Sequence, residues 1–114
     1  MTFKQRITSN TPAIGVIVTL PDPTVAEILV RAGFDWLWLD AEHSPLGPAE
    51  VQRIAQAAGQ TACLARIPGV DEGWVKKTLD TGVEGIIFPL INSAADAERA
   101  VALCKYPPAG RRSV

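Results

Sequence analysis

Asp40, Glu42 and His43 follow directly on the apolar run Phe34 to Leu39. His43 is the only histidine in the chain, and imidazole is the one side chain whose ordinary pKa brings its charge change near neutral pH. Arg66 closes a second apolar run, Thr61 to Ala65, and a guanidinium offers paired N–H donors that match a carboxylate. A base, two acids and an arginine at strand ends suit proton abstraction from a substrate that carries a carboxylate. In that chemistry His43 is the base and Arg66 holds the carboxylate. Each residue also has a purely structural reading. His43 can be an exposed loop residue, Arg66 a strand-end charge that reaches water along its stem, and Asp40 a loop cap. Trp36, Trp38 and Trp74 read as core and interface bulk rather than as a stacking platform.

The elements that must position these residues alternate in type. Residues 3–11 read as a lead-in helix that stops before Thr11 and Pro12. Ala13 to Thr19 is continuous and β-branched, as a buried strand is. Asp22 can cap, and Pro23 can open, a helix running to Arg31, with Gly33 suited to a left-handed stop. Trp36 to Leu39 is the second strand, and Pro48 to Ala58 is a helix ended by Gly59. Thr61 to Arg66 is the third strand. Asp71 caps a helix running to about Asp80, with Gly82 as its stop. Gly85 to Pro89 is the fourth strand, and Asn92 or Ser93 caps a helix from Ala94 to about Lys105. Strand–helix units repeated at about 25 residues predict an α/β fold with a parallel sheet. Strands this apolar are expected to be covered on both faces. In such folds the working groups lie beyond the strands' carboxyl ends. Those ends deliver Asp40, Glu42, His43, Arg66, Pro89 and Asn92. Asp80 falls at a helix C-terminus, where the dipole disfavours an acid, so it calls for a nearby cation or is a surface charge.

Composition excludes several classes. The chain has 114 residues, a net charge of −1 and 47% hydrophobic residues. That is one soluble domain or part of one, with no basic face for nucleic acid and no polybasic membrane patch. No stretch is apolar for long enough to span a bilayer, and the polar N-terminus lacks a signal peptide's apolar core. Cys63 and Cys104 read as buried thiols rather than a disulfide or metal pair. A cytoplasmic protein is expected. None of the loops carries a glycine-rich nucleotide-binding signature.

Four ordered stretches resemble the HpcH/HpaI aldolase family, the metal-dependent class II pyruvate aldolases. They are AGFDWLWLDAEHSP (residues 32–45), LARIP (64–68), KTLDTGVEGIIFP (77–89), and AERA (97–100) leading to YPPAGRRS (106–113). The resemblance covers nearly the whole chain and implies the N-terminal half of a (β/α)8 barrel, with residues 1–114 as one partial barrel domain. The complete barrel takes roughly 250 residues. It implies a carbon–carbon lyase that cleaves 4-hydroxy-2-oxo acids, such as 2-keto-3-deoxy sugar acids, to pyruvate and an aldehyde. His43 matches the family's acid/base histidine, Asp80 the acid that pairs with it, and Arg66 the arginine that binds the pyruvate carboxylate. Asp40 and Glu42 match acidic neighbours of a divalent metal (Mg²⁺, Mn²⁺ or Co²⁺). The direct ligands, a Glu and an Asp, come from later strands and have no counterpart in residues 1–114. Arg112 matches a turn near the active-site mouth, and the full-length family implies a homo-oligomer. The expectation for these residues alone is a truncated or partial sequence without turnover. A non-catalytic half-barrel that self-associates and a lyase acting on a CoA ester are the competing readings.

Overall fold

The computed structural model describes residues 1–114. After a short helix α1 (Phe3–Thr8), strands and helices alternate: β1 (Gly15–Val18), α2 (Pro23–Arg31), β2 (Trp36–Asp40), α3 (Pro48–Ala58), β3 (Ala62–Arg66), α4 (Glu72–Asp80), β4 (Gly85–Ile87) and α5 (Ala94–Cys104). The strands form one parallel four-stranded sheet in the order β1-β2-β3-β4. A doubly wound sheet reverses its strand order at a switch point. This sheet does not, and α2 packs on α3, α3 on α4 and α4 on α5 in a single row. That is the winding of a (β/α)8 barrel, of which these units form the first half.

Local chemistry sets the element ends. Asp22 Oδ1 accepts from the Thr24 amide (2.9 Å), Asp71 Oδ1 from Trp74 (2.8 Å) and Ser93 Oγ from Asp96 (3.1 Å). These are the caps that the sequence predicts. Gly33 and Gly82 both stop their helices at φ +92°, a region closed to most side chains. Three boundaries differ from the sequence reading by two residues or more, and the ends of β1 and β2 and the start of β3 by one. α1 ends at Thr8, not residue 11, because Ser9 is extended and its hydroxyl donates back to the Arg6 carbonyl at 2.8 Å. β1 begins at Gly15, not Ala13, because the Ile14 amide donates to Asp35 Oδ2 (2.7 Å) instead of to a strand. β4 ends at Ile87, not Pro89; proline has no N–H to continue a ladder, and Leu90 turns the chain at φ +55°.

Alternation sorts each strand's side chains onto two faces. Leu37, Leu39, Cys63 and Ala65 face the helices and join Val18, Ala26, Val51 and Ile54 in the main core, none more than 4% exposed. Burial pushes the Cys63 thiol up to about 12, so it is an inert apolar filler. Ile17, Trp36, Trp38, Leu64 and Arg66 lie on the opposite face. That face is not covered within these residues as the apolar strands lead one to expect: Ile17 is 53% exposed. α1 lies at the strands' N-terminal ends, where Arg6 Nη1 donates to Asp35 Oδ1 at 2.6 Å and Phe3 packs on Trp36. No helix is long and apolar enough to cross a membrane.

Candidate active site at the strand carboxyl ends

The β2–β3 register places Asp40 directly opposite Arg66. Asp40 is 3% exposed, and a buried carboxylate needs partners for both oxygens. Oδ2 accepts from Arg66 Nη2 at 2.8 Å, and Oδ1 from Arg66 Nε at 3.1 Å. The same Oδ1 accepts from the Glu42 and His43 amides at 3.0 and 3.1 Å. The Ser44 hydroxyl donates to the Asp40 carbonyl and accepts from the Leu46 amide. Asp40 therefore fixes the arginine and also folds the loop that carries Glu42 and His43. Its bonds from the Arg66 guanidinium, aided by the two loop amides, hold its carboxyl down at about 2. The same bond raises the Arg66 pKa.

Glu42 and His43 complete the cluster. Glu42 Oε1 lies 3.1 Å from His43 Nε2 and 3.6 Å from Arg66 Nε. The Glu42 side chain is largely buried, whereas that of His43 is 72% exposed. Arg66 Nη1 makes no hydrogen bond within the chain. A cavity of about 480 Å³ opens beside these groups, bounded by Trp38, Arg66, Glu42, His43 and the segment Ile87 to Leu90. A buried carboxylate–arginine pair, an arginine with spare donors and an accessible imidazole can together bind an anion and move a proton.

The sequence-predicted residues do not all meet here. Asp40, Glu42, His43 and Arg66 do. Asp80 does not: its carboxylate accepts from Arg112 Nη2 at 3.1 Å and is 71% exposed. α4 starts on the loop after Arg66 and its nine residues carry the chain back by about 13 Å, so Asp80 stands at the opposite end of the sheet from His43. Arg112 lies with it, stacked on Tyr106 at 4.6 Å, and so is not at the mouth of this cavity as the resemblance implies. Asn92 serves α5 instead, its backbone N–H donating to Asp96 Oδ2.

Four cavity residues escaped the sequence reading: Trp38, Ile87, Phe88 and Leu90. Leu90, 82% exposed, rims the cavity where the chain turns after β4 at φ +55°. Trp38 forms a wall of the cavity and lies under Arg66, whose Cζ is 5.1 Å from the ring centroid. The signal for Trp38 was period-two alternation: the face that carries Asp40 carries the residue two positions earlier.

The acids do not fit a divalent metal on their own. Both Asp40 oxygens are taken by Arg66 and the loop amides. No three His, Cys, Asp or Glu side chains group so as to hold an ion.

Comparison with known proteins places these residues in context. The profile of the HpcH/HpaI aldolase/citrate lyase family matches residues 13–114. The chain is 40% identical to a hydroxypyruvate/pyruvate aldolase of Pseudomonas aeruginosa, over 98% of this chain and 42% of that protein. It is 36% identical to a 4-hydroxy-2-oxo-heptane-1,7-dioate aldolase of Salmonella dublin, over 98% of this chain and 43% of that one. Among solved structures, the HpcH/HpaI aldolase of Desulfitobacterium hafniense superposes with a TM-score of 0.88 at 32% identity, over 100% of this chain and 45% of that one. The chain thus spans a little under half the length of these relatives.

Proposed function

The chain belongs to the HpcH/HpaI aldolase/citrate lyase family, and we propose that it provides the carboxylate-binding and proton-handling part of a pyruvate aldolase. The substrate class is a 4-hydroxy-2-oxo acid, cleaved reversibly to pyruvate and an aldehyde. The observation that carries this reading is the two-bond Asp40–Arg66 pair facing a cavity that His43 also lines. Asp40 uses the Nε and Nη2 side of the guanidinium, which leaves the Nη1 end for the 2-oxo acid's carboxylate. Glu42 Oε1 stands 3.1 Å from His43 Nε2, so a carboxylate lies beside the imidazole that acts as base.

His43 takes the proton from the substrate's C4 hydroxyl. The oxygen's electron pair forms the aldehyde carbonyl as the C3–C4 bond breaks. The bond's electrons pass into the C2–C3 enolate, and a proton delivered to C3 releases pyruvate. A divalent cation, Mg²⁺, Mn²⁺ or Co²⁺, is expected from the family resemblance and would stabilise the enolate oxygen. Such a cation needs ligands beyond Asp40 and Glu42.

Asp80 enters this reading from another direction. It matches the family's histidine-pairing acid, yet it lies across the sheet from His43 and is exposed. We propose that the Asp80–His43 pair forms between two chains of a homo-oligomer, since within one chain the two residues lie at opposite ends of the sheet. The test is pyruvate release from a 4-hydroxy-2-oxo acid by the protein as the cell makes it, with and without EDTA. Turnover lost with His43→Ala supports the aldolase. A folded protein with neither turnover nor pyruvate binding returns the non-catalytic module.

A further inference from the structure

We infer that Trp38 is a positioning residue for Arg66, its indole face seating the guanidinium so that the fork not used by Asp40 is held toward the cavity. The inference rests on the reading of Arg66 as a carboxylate clamp. An arginine held only by one carboxylate can still pivot about that pair. A second support normal to the guanidinium plane removes this freedom, and an aromatic face is the support to which a guanidinium is drawn. Trp38 supplies it, with Arg66 Cζ 5.1 Å from the ring centroid.

The ring is in turn fixed from below. Trp36 stacks on Trp38 with centroids 6.1 Å apart and planes 22° apart, and Phe3 packs on Trp36 at 5.6 Å. The Trp38 indole N–H is buried and donates to nothing in the chain. Stacking, not hydrogen bonding, therefore sets its rotation. Gly15 makes room for the column, since a Cβ there would stand 2.3 Å from Trp36 Cε2. One aromatic ladder thus runs from α1, at the N-terminal end of the sheet, to the arginine at the opposite end.

The experiment is calorimetric titration of pyruvate into the full protein in Mg²⁺ buffer, for wild type, Trp38→Phe, Trp38→Leu, Arg66→Ala and both double variants, alongside steady-state kinetics. A cation–π contact at a half-buried site predicts about five-fold weaker pyruvate binding for Trp38→Leu and about two-fold for Trp38→Phe. KM rises by the same factors while kcat moves less. In the Arg66→Ala background neither tryptophan substitution has a further effect. Unchanged binding in Trp38→Leu overturns the inference, as does an equal loss in both backgrounds. If Trp38→Leu does not fold, the Trp38→Phe pair decides by the same criteria. Arg66→Ala binding pyruvate as well as wild type removes the clamp reading itself, and the positioning role with it.

Discussion

Asp40 and Arg66 are strand-register partners whose side chains close a second, two-bond connection at 3.1 and 2.8 Å, tying β2 to β3 at the lip of the cavity. The pair links stability to function, because the carboxylate that holds the arginine also folds the loop bearing His43.

Asp40→Asn tests the pair through acid stability. The Asp40 carboxyl lies near 2 in the folded chain, against an ordinary value of 3.8. A depressed folded-state pKa gives stability that is present above the unfolded value and is lost as pH falls through the folded one. This window runs from about pH 4 down to pH 2 and carries about 2 kcal/mol. The variant should be less stable than wild type at neutral pH, because Arg66 keeps its charge and loses its partner. Its unfolding free energy should also lack this fall between pH 4 and 2. Parallel pH curves for the two proteins would mean that the pair does not set the shift.

The Glu42–His43 contact gives a graded kinetic prediction. His43→Ala removes the base and should lower kcat by about 10²–10⁴-fold. Glu42→Gln leaves the imidazole but removes the negative charge 3.1 Å from it, with an expected loss of about 10-fold. Equal losses in the two variants would contradict the order of roles.

Asp80 separates a role within one chain from a role between two. Its pair with Arg112 is mostly exposed, so Asp80→Asn should change stability by less than about 1 kcal/mol. Activity should nonetheless fall sharply. Co-expression of Asp80→Asn with His43→Ala should then recover activity, because mixed assemblies contain sites with both native groups. An Asp80→Asn protein with wild-type turnover would reduce Asp80 to a partner of Arg112.

Gly15→Ala probes the aromatic ladder from beneath. The added methyl would overlap Trp36 at 2.3 Å, and overpacking of this kind costs about 1–3 kcal/mol. The expected result is a lowered thermal midpoint together with weaker pyruvate binding, as Trp36 and then Trp38 are displaced. A fully stable variant would show that Trp36 moves freely.

Much of this was legible in the residues. Apolar runs broken by glycine, proline and capping acids mark every strand and helix, and strand polarity alone brings Asp40, His43 and Arg66 to one end. What a string of residues hides is depth and partnership. Spacing does not reveal that Asp40 spends its carboxylate on Arg66, because that depends on the β2–β3 register. The ends of α1 and β4 depend on single hydrogen bonds and on a missing proline N–H. Asp80 looked close to His43 by family pattern, yet one helix carries it across the sheet. Trp38 read as bulk, since tryptophan on an apolar strand usually is; only its stacking under Arg66 gives it a position in the site.

Arg66 as carboxylate clamp is tested by aldol cleavage in wild type, Arg66→Lys and Arg66→Ala, following pyruvate from a 4-hydroxy-2-oxo acid. Lysine keeps the charge but not the fork shared between Asp40 and substrate. Wild type should release pyruvate, and kcat/KM should fall by at least about 10-fold in Arg66→Lys and further in Arg66→Ala. Turnover that is indifferent to both substitutions would contradict the clamp.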